Sequence, residues 1–100
     1  MNTEITTEGK KITAVLNGRF TTDETERFLK TVEPLMNASQ SEIVMDLSGL
    51  DFISSAGIRC FVMLLKAVEA NESTLSLKNL TPQIKDIFSL IGLIDKFRIE

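Results

Sequence analysis

The 100-residue chain predicts an α/β sandwich built on a mixed sheet. Three features carry this expectation. A near-continuous apolar run of strand length, Ile43-Val44-Met45-Asp46-Leu47, lies mid-chain, as a central parallel strand covered on both faces requires. Ahead of it, Thr3 to Phe20 reads as two strands broken at Glu8-Gly9-Lys10. Around it, helical and strand periodicities give the order β-β-α-β-α-β-α with room for a final strand.

Each element has a local cause. Ile12, Ala14 and Leu16 alternate with Thr13, Val15 and Asn17, Gly18 closes the second strand, and Lys10 and Lys11 suit the exposed end of an edge hairpin. Thr21 followed by Glu24 has capping-box spacing, and Asp23 and Glu24 favour the positive end of a helix dipole. The buried stripe of that helix is Phe28, Leu29, Val32, Leu35 and Met36. Pro34 lacks an N–H and its ring meets the carbonyl of Lys30, which predicts a bend or an irregular last turn.

A polar connection, Asn37 to Glu42, leads into the spine strand. A polar switchback, Ser48 to Gly57, then leads to an apolar helix from Ile58 to Val68. Asn71-Glu72-Ser73 turns the chain, and Leu75 and Leu77 alternate with Thr74, Ser76 and Lys78 as a half-buried strand. Thr81-Pro82 starts the last helix, with threonine as N-cap and proline where a missing N–H costs nothing. Ile84, Ile87, Phe88 and Ile91 form its stripe and Gly92 ends it. Lys96 to Ile99 remains for a short edge strand or an irregular tail.

Composition excludes several function classes. With 43% hydrophobic and 25% charged residues the chain reads as one ordinary globular domain over residues 1–100. A net charge of −3 and no Lys/Arg cluster argue against a nucleic-acid partner. The single cysteine, Cys60, makes no internal disulfide and lies within an apolar helical run, where a buried structural thiol is expected. No basic-then-apolar leader and no apolar run near the ~20 residues of a membrane span are present, so neither export nor direct membrane insertion is expected. Histidine is absent, which removes Ser-His and Cys-His nucleophilic pairs and most zinc or iron sites. No metal or cofactor is expected, and a small hydrolase is disfavoured.

Two stretches invite a functional reading. Between Ile58 and Val68 only Arg59 and Lys66 are charged, seven apart on one face, with Met63 between them and Cys60, Leu64 and Ala67 flanking the strip. Such a helix is either sandwiched over most of its circumference or presents an apolar docking patch in which methionine adapts to a partner. Just before it, Ser54 and Ser55 stand where helix-capping residues stand. Gly57 costs about 1 kcal/mol relative to alanine in a helix. It calls either for close packing on the strand or for room for a partner to approach the neighbouring hydroxyl.

Asp46-Leu47-Ser48-Gly49-Leu50, the spacer Asp51-Phe52-Ile53 and Ser54-Ser55-Ala56-Gly57-Ile58-Arg59 together resemble the core of the STAS domain family, specifically the bacterial anti-sigma factor antagonists. Leu16-Asn17-Gly18-Arg19-Phe20 is similar to that family's second strand and turn, and Asn79-Leu80-Thr81-Pro82 through Ile91-Gly92-Leu93 to its last helix. The resemblance covers nearly the whole chain. It implies a STAS-like α/β fold, a mixed four- to five-stranded sheet with helices packed mainly on one face.

It also implies a cytoplasmic regulatory binding protein rather than an enzyme. Ser55 matches the serine that an anti-sigma factor serine kinase phosphorylates, and a serine phosphatase would reset it. The implied partner-binding positions are Gly18, Arg19, Phe20 and Thr21 in the turn, with Ser54, Ala56, Gly57, Arg59 and Met63 on or before the helix. Two positions depart from the family pattern: Ser54 where aspartate is frequent, making it a second candidate acceptor, and Thr21 where an acidic residue is frequent. The alternative is a STAS domain that acts as a constitutive interaction subunit, for example of a transporter complex.

Overall fold

In the computed structural model, which describes residues 1–100, strand β1 (Asn2–Glu8) turns through Gly9, at φ 58°, and pairs antiparallel with β2 (Lys11–Phe20). Every later strand runs parallel to its neighbour: β3 (Glu42–Ile53) beside β2, β4 (Thr74–Lys78) beside β3, and the two-residue β5 (Arg98–Ile99) beside β4. The sheet is thus mixed and five-stranded, with its strands in sequence order.

Sequential order has a consequence for the layers. Right-handed crossovers that always advance in the same direction leave their helices on the same face. Helices α1 (Thr25–Thr31), α2 (Glu33–Asn37), α3 (Ser55–Ala70) and α4 (Pro82–Leu90) share one core with the sheet residues Ile12, Ala14, Leu16, Ile43, Met45, Leu47, Leu75 and Leu77. Thr13, Val44 and Ser76, in register with one another, occupy the opposite face. Val44 is 3% exposed yet lies outside that core. The expectation that the spine strand is covered on both faces is therefore corrected. Its apolar run goes with its place in the middle of five strands, where Val44 lies in register between Thr13 and Ser76.

Five of the six phenylalanines weld this layer together. Ring centroids are 4.8 Å apart for Phe20–Phe28, 6.0 Å for Phe20–Phe61, 6.0 Å for Phe61–Phe88 and 5.7 Å for Phe88–Phe97. These are the separations of favourable tilted and edge-to-face pairs, and they join β2, α1, α3, α4 and the C-terminal tail.

The remaining differences from expectation are local. Gly18 does not close β2: at φ 110° it sits among register shifts, between Val15 and Asn17 and between Gly18 and Arg19, and pairing continues to Phe20. The matching stretch of β3 continues as well, so residues Ser48 to Ile53 are strand and not switchback. Gly49 leaves room for the Asn17 side chain, whose Oδ1 lies 1.8 Å from where a Cβ at 49 would stand and would have to move aside for one. The capping box does not form: Thr22–Glu24 is a 3-10 turn, the Thr21 hydroxyl donates to Asp23, and Glu24 instead binds the Met1 ammonium at 2.9 Å and Arg27 at 2.6 Å.

Pro34 acts as predicted, and the helix breaks at Val32 into α1 and α2. Thr81 caps α4 by accepting the Ile84 N–H at 3.4 Å. At its other end Gly92 (φ 75°) donates to Ser89 and Leu93 donates to Phe88, the paired bonds of a glycine-terminated helix. Ile91, expected in the buried stripe, falls past the end of α4 and is exposed.

Candidate functional site

The parallel pairing of β2 with β3 delivers two distant segments to one rim. Phe20 lies opposite Ile53, and the Ser54 N–H donates to the Phe20 carbonyl at 2.8 Å. The Gly18–Thr21 segment and the start of α3 thereby become neighbours.

At that rim the two serines separate in role. Ser54 has the extended backbone of an N-cap (φ −80°, ψ 165°). Its hydroxyl oxygen accepts the Gly57 N–H at 3.1 Å, and its carbonyl accepts the Ile58 N–H at 3.0 Å. Ser55, the first residue of α3, is exposed, and its hydroxyl has no hydrogen-bond partner in the chain. Ser54 is half-buried and engaged; Ser55 is free.

Gly57 is buried, and a Cβ there would lie 3.0 Å from Ile53 Cγ1 and from the Phe20 ring. Of the two reasons offered for this glycine, close packing on the strand is the one the geometry displays. Phe20 is likewise fully buried, so Phe20 and Gly57 support the rim from beneath rather than forming its surface.

Along α3 the outward strip is Ser55, Arg59, Met63 and Lys66, all exposed, with Met63 at 48%. The inward side is Gly57, Cys60, Phe61, Leu64 and Val68. The helix is therefore not sandwiched all round. Cys60 and Leu64, expected to flank the strip, face the core, while Ile58, Val62 and Leu65 are half-buried at its margins. Burial pushes the Cys60 thiol above its ordinary value of 9.0, and the charge of Arg59 offsets this in part.

Two features escape the sequence reading. The Arg19 guanidinium lies 4.5 Å from the centroid of the Phe52 ring, a cation–π contact between paired strand ends. The signal for it is Phe52 itself, the one aromatic side chain in an otherwise polar and aliphatic stretch. The second is Asp23, whose carboxyl is held below its ordinary range, first by the Thr21 hydroxyl and then by its own backbone N–H. An acidic group therefore stands beside position 21 although residue 21 itself is threonine.

None of the five surface depressions is lined by Ser54, Ser55 or Arg59. No group of three or more carboxylate, thiol or imidazole side chains converges to hold a metal ion. No helix is long and apolar enough to cross a membrane. The rim presents a hydroxyl, a guanidinium and a thioether at the surface, outside those depressions.

A one-sided, sequentially ordered mixed sheet with a bare serine at the start of its longest helix defines a class of small α/β domain. Residues 3–98 match the family described as "Mlab, STAS domain", and the chain belongs to the STAS domain family. Among its relatives, BtrV of Bordetella bronchiseptica, described as a candidate anti-sigma factor antagonist, is 27% identical over 86 residues. That match covers 86% of this chain and 74% of BtrV. The anti-sigma-B factor antagonist of Staphylococcus aureus is 23% identical over 99 residues, covering 99% of this chain and 92% of the relative. The fold is shared with the Bacillus protein SpoIIAA, at 17% identity. Its unphosphorylated form gives a TM-score of 0.82 (99% of this chain, 88% of that one) and its phosphorylated form 0.75 (99% and 91%).

Proposed function

We propose that this protein is an anti-sigma factor antagonist: a non-enzymatic, cytoplasmic binding protein that captures an anti-sigma factor with serine-kinase activity, and so frees a sigma factor, while Ser55 is bare. Phosphorylation of Ser55 releases the partner, and a serine phosphatase resets the switch. The observation that carries the reading is the division of the serine pair, in which Ser54 is spent on the helix cap and Ser55 is exposed and unbonded. The names of the two relatives support the choice of partner.

The electrostatics suit such a switch. A phosphoserine adds roughly −1.5 to −2 charges, and at a helix N-terminus such charge is stabilised by about 0.3 to 1 kcal/mol. The fold therefore tolerates the modification. An interface does not, because burying an unpaired phosphate costs several kcal/mol and each ~1.4 kcal/mol is tenfold in affinity.

Incubation with ATP and the cognate anti-sigma factor kinase tests the reading. Label is expected in the wild type and in Ser54→Ala, and none in Ser55→Ala. Undiminished label in Ser55→Ala defeats it. Kinase-independent binding to a membrane-protein complex that is indifferent to Ser55→Asp would instead identify a constitutive docking subunit.

A further inference from the structure

We propose that Arg59 is the internal counter-ion of phosphorylated Ser55, so that modification withdraws a cation from the docking strip at the same moment as it adds an anion. This rests on the reading above that Ser55 is the modified residue.

Ser55 and Arg59 are four residues apart on the 16-residue helix α3, and both are exposed on its outward strip. Side chains at that spacing are neighbours, and an acidic group N-terminal to a basic one is the favoured order along the helix dipole. The guanidinium of Arg59 is uncommitted. The ion pairs of the structure are Met1–Glu24, Arg27–Glu24 and Lys30–Glu26, and Arg59 takes part in none of them. Arg19, the other cation at this rim, is occupied by the ring of Phe52. Arg59 is thus the arginine free to close on a phosphate in the bidentate manner that guanidinium and phosphate oxygens allow.

The charged groups nearby reinforce the pairing. Asp51 near the end of β3 and Asp23 on the 3-10 turn packed against α3 are carboxylates outside any ion pair, so neither offers a phosphate on Ser55 a counter-charge. Glu24, on the same turn, is neutralised by the Met1 ammonium and Arg27. With Arg19 on β2 resting on the Phe52 ring, the groups on α3 itself that face a phosphate on Ser55 are Arg59 and the Ser55 and Ala56 N–H groups of the first helical turn, for which α3 provides no carbonyl. In the bare protein the same Arg59 is available to a carboxylate of the partner. Phosphorylation therefore acts twice on one contact.

The experiment uses the full chain with phosphoserine installed directly at position 55 by codon reassignment, so that no kinase is needed. The second phosphate ionisation, near pH ~6, is followed by ³¹P NMR in the wild type, Arg59→Gln and Arg59→Lys. Residue 59 is exposed, and neither substitution threatens the fold. The wild-type ionisation is expected about 0.3 pH unit below that of Arg59→Gln, with Arg59→Lys, which keeps the charge and loses the bidentate fork, in between, and the difference shrinking in about 1 M salt. Superimposed wild-type and Arg59→Gln curves overturn the pairing. Failure of a kinase to label Ser55 would remove the proposed function and leave this titration unchanged, so the two ideas fail separately.

Discussion

The Ser54 hydroxyl oxygen accepts the Gly57 N–H at 3.1 Å, and that single bond decides which of two adjacent serines is structural. Ser54→Ala leaves the Gly57 N–H without its cap and is expected to cost about 1 kcal/mol. Ser55→Ala removes an exposed hydroxyl with no partner and is expected to stay within about 0.5 kcal/mol of wild type. Urea unfolding of the two variants at unchanged m-value measures both. A larger loss for Ser55→Ala than for Ser54→Ala would reverse the assignment.

Gly57 sits under the same cap, and its tolerance is a test of how tightly the rim is built. Alanine would gain about 1 kcal/mol in helix propensity. Its Cβ, however, meets Ile53 Cγ1 and two carbons of the Phe20 ring at 3.0 Å, contacts closer than a packed core allows without movement. Overpacking of that kind costs about 1 to 3 kcal/mol, so a net loss of about 1 kcal/mol is expected for Gly57→Ala. The aromatic resonances of Phe20 should shift with it. A variant more stable than wild type would show that this part of the core yields freely.

The features that were legible in the sequence are those whose causes act over a few residues. The Gly9 turn, the break that Pro34 imposes at Val32, the Thr81-Pro82 start and the Gly92 stop all follow from φ restrictions and missing or orphaned N–H groups. Features set by distant partners were not legible. Ser48, Gly49 and Asp51 look like turn formers, but pairing with Asn17 to Phe20 holds them in a bulged strand. Glu24 has capping-box spacing, yet a stronger ion pair with the Met1 ammonium takes it away. The single covered face follows from strand order, which no local pattern encodes; the family resemblance implied it, while the apolar run of the spine strand pointed the other way. At the site itself, the pair Ser54-Ser55 announced a helix start, but only the backbone at Ser54 shows which member caps. The Arg19–Phe52 contact depends on the register shifts in β2 and β3 and was out of reach for the same reason.

Cys60 offers a probe of the helix on which the strip is built. It is 3% exposed and its thiol is displaced upward by burial, so little reactive thiolate is presented in the folded state. Reaction with an aromatic disulfide reagent is expected to proceed only through opening of the structure. The rate should therefore rise with urea in step with the unfolding equilibrium rather than with thiolate fraction. Rapid reaction of the native protein, at the rate of the urea-unfolded chain, would show that α3 leaves the sheet far more readily than its contacts imply.

Asp46 gives the fold a defined acid sensitivity. Burial alone would push its carboxyl upward, but hydrogen bonds from Ser48 and Asn79, with the charge of Lys78, hold it below its ordinary value of 3.8. A carboxyl depressed in the folded state binds a proton less readily than in the unfolded chain. Its stabilising contribution is therefore complete above 3.8 and is lost as pH falls below that value through the folded pKa. Asp46→Asn cannot lose what it lacks. The variant should be less stable than wild type near neutral pH, with the gap narrowing as the solution is taken below pH 3.8. Asp23, through the Thr21 hydroxyl, and Glu24, through the Met1 ammonium, are depressed in the same direction, so the variant keeps part of the acid-induced loss. Urea midpoints collected across that range measure the difference. Parallel pH profiles for the two proteins would mean that the Ser48 and Asn79 bonds do not favour the carboxylate over its protonated form.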